Sequence, residues 1–245
     1  SKSIFDNLNT IIDINISTIY LDPKNFVNNF SGNIIYKKNK IYKSDLVSTF
    51  PNNKKLNLTI NTNENNENIF CDKDGNDSKE LFYAIGGLQN IMFDSFAFFA
   101  SNENAYRRFE PDIFVPVNTS WGHNNRSVAF RIPVSNNKAK RIEHRVAGAE
   151  ANSYLVLASI LSGIEDGLIN KLKASNLRED NACKDPDPRM PKNIDQALLM
   201  LESSVLMKKY LTEEYIKVFV ELKRKEQDSF RGEISDIEYK WYLNH

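Results

Sequence analysis

Charged residues alternate within a short stretch near the middle of the chain. Arg141, Glu143 and Arg145 occupy every second position of RIEHR, and alternate residues of a strand project to one face. A carboxylate between two guanidinium groups suits two kinds of structure. It could belong to an ion-pair network that stabilises the fold, or to a site where Glu holds a cation and Arg holds phosphate oxygens. The spacing alone leaves both interpretations open.

The segment that ends at this stretch is rich in cations. Only Glu110, Asp112 and Glu143 oppose them between residues 107 and 145. Guanidinium grips carboxylate and phosphate with a two-pronged fork, and a half-buried arginine needs a partner. The segment therefore predicts either paired arginines or an anion site. Its cations are Arg107, Arg108, Arg126, Arg131, Lys138, Lys140, Arg141 and Arg145.

The bulk composition indicates that any anion site must be local. The 245 residues carry a formal net charge of zero, so no global field favours nucleic acid or an anionic membrane. No apolar run reaches the ~18 residues of a membrane span, and the first residues lack a signal-peptide pattern. Cys71 and Cys183 lack metal-ligand spacing, and we expect reduced thiols. The sequence thus predicts a cytoplasmic protein with neither membrane nor nucleic acid as a partner.

The pattern of elements predicts an α+β fold. Strands are expected over residues 10–20, within 33–43 and 55–62, and at SVAFRIP and AKRIEHRV. Long helices are expected over 78–102, with Ser78 as N-cap, and over 149–172. From residue 193 onward the apolar spacing is helical throughout. The Gly86-Gly87 pair would allow close packing of the first helix, and the phenylalanines of FDSFAFFA would form core.

Several long motifs carry a resemblance to a known family. The stretches NRSVAFRIP, KAKRIEHRV and AEANSYL resemble the C-terminal half of the glutamine synthetase catalytic domain. YRRFEPDIFVPVNTSWGHNNRS and EHRVAGAEAN are most similar to the γ-glutamylpolyamine (γ-glutamylputrescine) synthetase branch. MPKNIDQALLMLESS, LKRKEQDSF and SDIEYKWYL are similar to the family's C-terminal helices.

The resemblance implies a fold and a reaction. The fold would be a curved antiparallel sheet backed by helices, with residues 1–173 forming the C-terminal portion of the catalytic domain and 174–245 a loop and helical tail of that domain. ATP, with Mg²⁺ or Mn²⁺, would phosphorylate the γ-carboxylate of glutamate, and ammonia, an amine or a polyamine would attack the acyl phosphate. Active sites would lie between neighbouring subunits of a ring.

Site residues follow from the resemblance position by position. Arg108 matches the residue on the glutamate α-carboxylate, and Asn52 matches the first Asn of a substrate-contacting loop. Arg126 and Arg131 match contacts to nucleotide phosphates, Arg126 with a catalytic role, and Lys138 lies in the segment that flanks the nucleotide. Glu143 matches a metal ligand. Arg145 matches the catalytic arginine on the γ-carboxylate and the phosphoryl group.

The sequence departs from the family mainly at the metal positions. Asn57 and Thr59 stand where the family has histidines, and Asn61 where it has Ser. Asp6 and Asp13 take the positions of two metal-binding glutamates, and Asp is one methylene shorter. Phe114 stands where the glutamine-forming branch has a Glu in a flap. The family's small N-terminal β domain and the first strands of its sheet have no counterpart, which predicts that a separate N-terminal half completes the site.

Two functions remain open. The chain is either a fragment of an ATP-dependent γ-glutamyl ligase that works with an N-terminal partner, or a degenerate, non-catalytic homologue that regulates or builds a homo- or hetero-oligomeric ring. His123 could touch the amine substrate or be an ordinary loop residue, and Trp121 could stack on a ligand or belong to the core.

Overall fold

The computed structural model describes residues 9–20, 26–37, 40–49, 51, 53, 55–61, 68–111 and 113–243. The chain divides into two compact units, residues 1–67 and 68–245. Strands form most of the described part of the first unit, and helices dominate the second. The expected α+β class is therefore confirmed. The expected division after residue 173 stays a prediction.

The first unit contains a four-stranded antiparallel sheet in the order β1-β2-β3-β4. The stretch 33–43 was expected to form strand, and its described residues belong to two antiparallel strands, in which Lys37 lies opposite Lys40. The apolar alternation stops at this lysine-rich run, so one strand ends and the next begins. Gly32 is obligatory in β2, because a Cβ there would lie 1.9 Å from the Asp45 carbonyl oxygen. The strands are β1 (Thr10–Tyr20), β2 (Phe26–Lys37), β3 (Lys40–Thr49) and β4 (Lys55–Asn61).

Two long helices of the second unit pack closely on each other. α1 (Lys79–Ile91) begins at Ser78, whose hydroxyl accepts a hydrogen bond from the Leu81 amide, as its N-cap position predicts. α3 (Ser153–Asn170) packs against α1 through glycines on both helices. The close packing expected at Gly86-Gly87 is confirmed.

The single helix expected over residues 78–102 is wrong in its second half. α1 ends at Ile91, and a turn separates it from α2 (Phe96–Phe99), all four residues of which are buried. A straight amphipathic helix buries one stripe of its surface, whereas here every residue from 96 to 100 is buried. The turn is held by Ser95, whose hydroxyl donates to the Ile91 carbonyl at 2.7 Å.

A small three-stranded sheet positions the charged stretch. It comprises β5 (Trp121–His123), β6 (Phe130–Ile132) and β7 (Glu143–His144). β5 and β6 are parallel, and β6 and β7 are antiparallel, so this sheet is mixed where an antiparallel one was expected. β7 is much shorter than the strand expected over AKRIEHRV, and Arg141 lies before it.

The expected helical C-terminal tail is confirmed. The first helix predicted in this tail is divided into two helices. The division lies at Ser204, whose side chain accepts a hydrogen bond from the Met207 amide and caps the second helix. Among the described residues, no helix combines the length and apolarity that crossing a membrane requires. The tail helices are α4 (Ile194–Ser203), α5 (Val205–Leu211), α6 (Glu213–Arg231) and α7 (Asp236–Tyr242).

The His144 ring points into the core, and we therefore expect the stability of the fold to fall at acidic pH. Its ring packs on Phe99 and Phe130, with ring centroids 4.5 and 5.5 Å away, and burial lowers its pKa to about 4. The unfolded chain binds this proton near pH 6.5 and the folded chain only near pH 4, so stability falls as the pH drops between these values.

We expect the titration of His144 to lower the free energy of unfolding by about 2 kcal/mol when the pH falls from 7 to 5. Urea unfolding at both pH values checks the figure, with His144→Phe as the control that removes the titration. Equal pH dependence in the two proteins would contradict the assignment.

Candidate functional site

The centre of the candidate site is an ion-paired group on β6 and β7. Arg131 Nη1 lies 2.9 Å from Glu143 Oε2, and Arg145 Nε lies 3.5 Å from Glu143 Oε1. The Glu143 side chain is 38% exposed, whereas the two arginine side chains are 16% and 19% exposed. Two largely buried guanidinium groups thus share one accessible carboxylate. The group carries an excess positive charge, and the Glu143 carboxylate is its most exposed member.

Backbone carbonyls hold Arg145 in place. Its Nη1 donates to the carbonyls of Arg126 and Val128, the latter at 3.2 Å, and its Nη2 donates to the carbonyl of Phe114 at 3.4 Å. Burial lowers the pKa of Arg145, and the nearby Glu143 carboxylate opposes this shift. The guanidinium is therefore oriented before any ligand binds.

Arg131 is oriented by a residue that the sequence analysis missed. Asn124 Oδ1 accepts a hydrogen bond from Arg131 Nη2 at 2.5 Å. Asn124 has a left-handed backbone, with φ of 47°, and its amide donates to the Ile132 carbonyl at 2.8 Å. Asn tolerates this conformation better than most residues, so the NN pair before Arg126 was the available signal.

Arg108 contacts the backbone next to Arg145, at the Val146 carbonyl, but its partners differ from those of Arg145. Its Nη2 donates to the carbonyls of Val146 at 2.6 Å and Phe99 at 3.4 Å. Its guanidinium stacks over the Phe109 ring, 4.1 Å from the centroid. Burial lowers the pKa of Arg108, and the Glu150 carboxylate opposes the shift. The structure thus ties Arg108 to the residue that follows Arg145.

The two remaining predicted nucleotide contacts are exposed. Arg126 lies on the loop before β6, and Lys138 on a short 3₁₀ turn, Asn137–Ala139. A second missed residue holds that turn, because Asn68 Nδ2 donates to the carbonyls of Asn137, Lys138 and Lys140 at 3.2, 3.4 and 2.7 Å. The position of Lys138 therefore depends on a residue 70 positions earlier.

Arg141 lies elsewhere than expected, and His123 has a partner within the protein. Arg141 is exposed and donates to the Ala139 carbonyl at 3.2 Å, so it does not flank Glu143 as strand alternation had predicted. His123 pairs with Asp77, Nε2 to Oδ2 at 3.0 Å, and Lys140 Nζ lies 2.7 Å from the other oxygen of that carboxylate. Trp121 is buried and belongs to the core.

Two of the predicted metal residues, Asp13 and Asn57, do not come together within the first unit. Asp13 on β1 and Asn57 on β4 are exposed, and they lie on opposite edges of the four-stranded sheet. Three strand spacings of ~4.8 Å separate these strands, too far for one ion to bind both side chains. Asp6 and Asn52 lie outside the described residues.

Glu143 alone does not fit a magnesium ion. Both its oxygens face guanidinium groups, whereas Mg²⁺ needs an octahedron of oxygen ligands. The residues that the structure describes contain no group of three or more His, Cys, Asp or Glu side chains able to hold a metal ion. Glu143 is therefore best described here as the counter-charge of Arg131 and Arg145.

Comparisons with known proteins bear on this cluster and on the fold. Gamma-glutamylputrescine synthetase PuuA of Escherichia coli (strain K12) is 38% identical over 183 residues, covering 75% of this chain and 39% of that protein. Type-1 glutamine synthetase 2 of Dictyostelium discoideum is 30% identical over 195 residues, covering 77% and 37%. The solved structure "Apo GmaS without ligand" has a TM-score of 0.61 at 20% identity, covering 83% of this chain and 44% of that one.

The chain spans about two fifths of the length of the curated relatives it matches. Residues 55–242 match the family description "Glutamine synthetase, catalytic domain", a range that includes α1, the three-stranded sheet and the whole arginine group. The chain belongs to the glutamine synthetase family, to its catalytic domain.

Proposed function

We propose that this chain is part of an ATP-dependent γ-glutamyl ligase, which joins glutamate to an amine or polyamine, or to ammonia, through γ-glutamyl phosphate. The observation that carries the proposal is the group formed by Arg131, Glu143 and Arg145. Two largely buried guanidinium groups against one carboxylate leave an unbalanced positive charge, as binding of a phosphate or carboxylate anion requires.

The arginines would act by position and charge. In phosphoryl transfer the negative charge spreads over the oxygens of the transferred group, and donors fixed in advance stabilise it without reorganising. Carbonyl and amide anchors fix Arg145 and Arg131 in this way. We assign Arg126 and Arg131 to the nucleotide phosphates, Arg145 to the γ-carboxylate and phosphoryl group, and Arg108 to the α-carboxylate. Lys138 would flank the nucleotide.

The proposal includes partners. Because the relatives are much longer, we propose that a further polypeptide segment, in this protein or in a partner chain, supplies the rest of the site within an oligomeric ring. That segment would add the oxygen ligands that Mg²⁺ or Mn²⁺ needs beside ATP. The similarity to the gamma-glutamylputrescine synthetase PuuA supports an amine such as putrescine as the second substrate.

Calorimetric titration with Mg²⁺–ATP tests the function. We expect saturable binding that the Arg131→Gln variant weakens by about tenfold to a hundredfold, since a hydrogen bond to a charged group contributes roughly 1.5–3 kcal/mol. Arg107→Gln, at an exposed position next to Arg108, is the control and should bind as the unmodified chain does. An absence of binding, even after addition of the N-terminal half of the enzyme, would rule out the ligase.

A non-catalytic ring subunit is the second candidate. Asn57 and Thr59 favour it, because they replace the histidines of the family's metal-binding strand. ADP release in the presence of glutamate, an amine and the N-terminal half distinguishes the two functions. The ligase turns over, whereas the non-catalytic subunit binds or assembles without releasing ADP.

A further inference from the structure

The turn that carries Lys138 has little support of its own. It is a three-residue 3₁₀ turn, Asn137–Ala139, and none of its residues is buried. Next to it, the Asn136 side chain accepts a hydrogen bond from the Ala139 amide at 3.0 Å. So short a turn, without buried residues, is not fixed by packing. Contacts from more distant parts of the chain must therefore set the position of Lys138.

Asp77 holds the C-terminal side of this turn through an ion pair. Lys140 Nζ lies 2.7 Å from Asp77 Oδ1 and donates a hydrogen bond to the Gly75 carbonyl at 3.1 Å. The Lys140 and Asp77 side chains are only 12% and 15% exposed. Water screens an exposed ion pair, whereas removal of one partner from a buried pair leaves an unpaired charge in a poorly solvated place. Asp77 is therefore a strong constraint on the segment that contains Lys138.

The other oxygen of the same carboxylate connects the turn to the three-stranded sheet. His123 Nε2, on β5, lies 3.0 Å from Asp77 Oδ2. β5 pairs with β6, where His123 lies beside Ile132, the residue after Arg131. One carboxylate thus joins the turn of Lys138 to the strand of Arg131. Both cations are assigned to the nucleotide, so Asp77 sets the distance between two contacts of one ligand.

The loop that presents Asp77 is held by its own hydrogen bonds. Asp72 Oδ1 accepts hydrogen bonds from the amides of Asp74 at 2.9 Å and Asn76 at 2.8 Å. The Asp72 amide donates to the Asn76 carbonyl at 2.9 Å, and the Gly75 amide donates to the Asp72 carbonyl at 3.2 Å. The hydrogen bond from the Asn76 amide is the main cause that lowers the pKa of the Asp72 carboxyl. Such a local network orders the loop without a ligand.

The same loop lies directly against the turn. Gly75 has a φ of 89°, and a Cβ there would lie 2.6 Å from Asn137 Nδ2. Glycine suits both the backbone conformation and the close approach. At the start of the loop, the Asn68 side chain donates to three carbonyls of residues 137–140. The turn is therefore contacted from both ends of the loop formed by residues 68–77.

We propose that Asp77 is a positioning residue for the nucleotide, and that residues 68–77, the clamp loop, hold Lys138 in place before the nucleotide arrives. Asp77 acts through Lys140 and His123. Because the turn is ordered when the chain folds, binding does not have to order it again, and the affinity is higher for that reason. The proposal rests on the proposed function in one respect, that Lys138 flanks the nucleotide.

A double-mutant cycle tests whether Asp77 acts through Lys138. We expect Asp77→Asn to weaken Mg²⁺–ATP binding by roughly tenfold, about as much as Lys138→Gln does. The variant with both substitutions should bind no more weakly than Lys138→Gln alone, because a side chain that is gone cannot be misplaced. Asp74→Asn is the matched control, since it makes the same change of charge at an exposed position of the clamp loop and should leave the affinity unchanged. Calorimetry measures each protein.

Limited digestion with trypsin provides a readout that needs no nucleotide. Cleavage after Lys138 requires the turn to leave its folded position. Asp77→Asn should speed this cut about fivefold, whereas Asp74→Asn should not change it, and mass spectrometry of the fragments measures both rates. Cleavage after Arg224, in α6, is the internal reference. The ratio of the two rates corrects for any change in global stability.

The two readouts separate the clamp loop from the ligase. Losses of affinity that multiply in the double variant, to about a hundredfold, would overturn positioning through Lys138. An unchanged ratio of the two cuts in Asp77→Asn would overturn the clamp loop, and Mg²⁺–ATP binding by the unmodified chain would then leave the ligase standing. A raised ratio without Mg²⁺–ATP binding by any of the proteins would support the hold on the turn and overturn the nucleotide role of Lys138.

Discussion

Gly87→Ala is expected to destabilise the second unit by at least ~3 kcal/mol, at the upper end of the usual cost of overpacking a core. A Cβ on Gly87 would lie 1.9 Å from the carbonyl oxygen of Gly163 and 2.7 Å from the backbone of Gly167. Both neighbours are main-chain atoms of α3, so no side chain can rotate away. α1 and α3 would have to separate, and the buried residues along their contact would lose packing.

Urea unfolding followed by circular dichroism measures this loss. Gly232→Ala is the matched control, because a Cβ there would lie 3.4 Å from its nearest neighbour and φ is −72°. We expect the control to unfold within about 0.5 kcal/mol of the unmodified chain, as surface substitutions usually do. If both variants unfold at the same urea concentration as the unmodified chain, the glycine contact does not determine the helix packing.

Arg145→Lys is expected to reduce the affinity for Mg²⁺–ATP by roughly tenfold to a hundredfold, whereas Arg141→Lys should leave it unchanged. Both variants keep the charge of the chain. Lysine loses the planar fork and cannot span the carbonyls that orient Arg145. Arg141 is exposed and contacts the Ala139 carbonyl alone among the described residues, so its replacement should affect no ligand.

Calorimetry on the three proteins under identical salt measures this difference. Low and moderate ionic strength should both be used, because a general loss of positive potential would be screened by salt and a lost direct contact much less so. Equal losses in the two lysine variants would show that Arg141 and Arg145 act alike, as strand alternation had suggested, and would contradict the geometry.

The sequence by itself determined the family, the fold class and the core. Local patterns encode these features: Ser78 three residues before a helical amide, the glycine pairs of α1 and α3, and the phenylalanines before residue 100. The helix cap depends on residues within a few positions of Ser78. The glycines and the phenylalanines are recognisable because their side-chain size suits a close contact or a buried position. Glu143, Arg131 and Arg145 could likewise be named in advance, because their motif is long and specific.

The tertiary structure alone decided how these residues are used. In the structure Arg141 lies outside the group of Arg131, Glu143 and Arg145, and Asn124 and Asn68 orient parts of the site. Asp13 and Asn57 lie on opposite edges of their sheet. The Phe114 carbonyl accepts a hydrogen bond from Arg145. The physical reason is that most of these partners are backbone carbonyls or amides brought together over many residues. Every residue carries a carbonyl, so its identity does not reveal which one a guanidinium group will find.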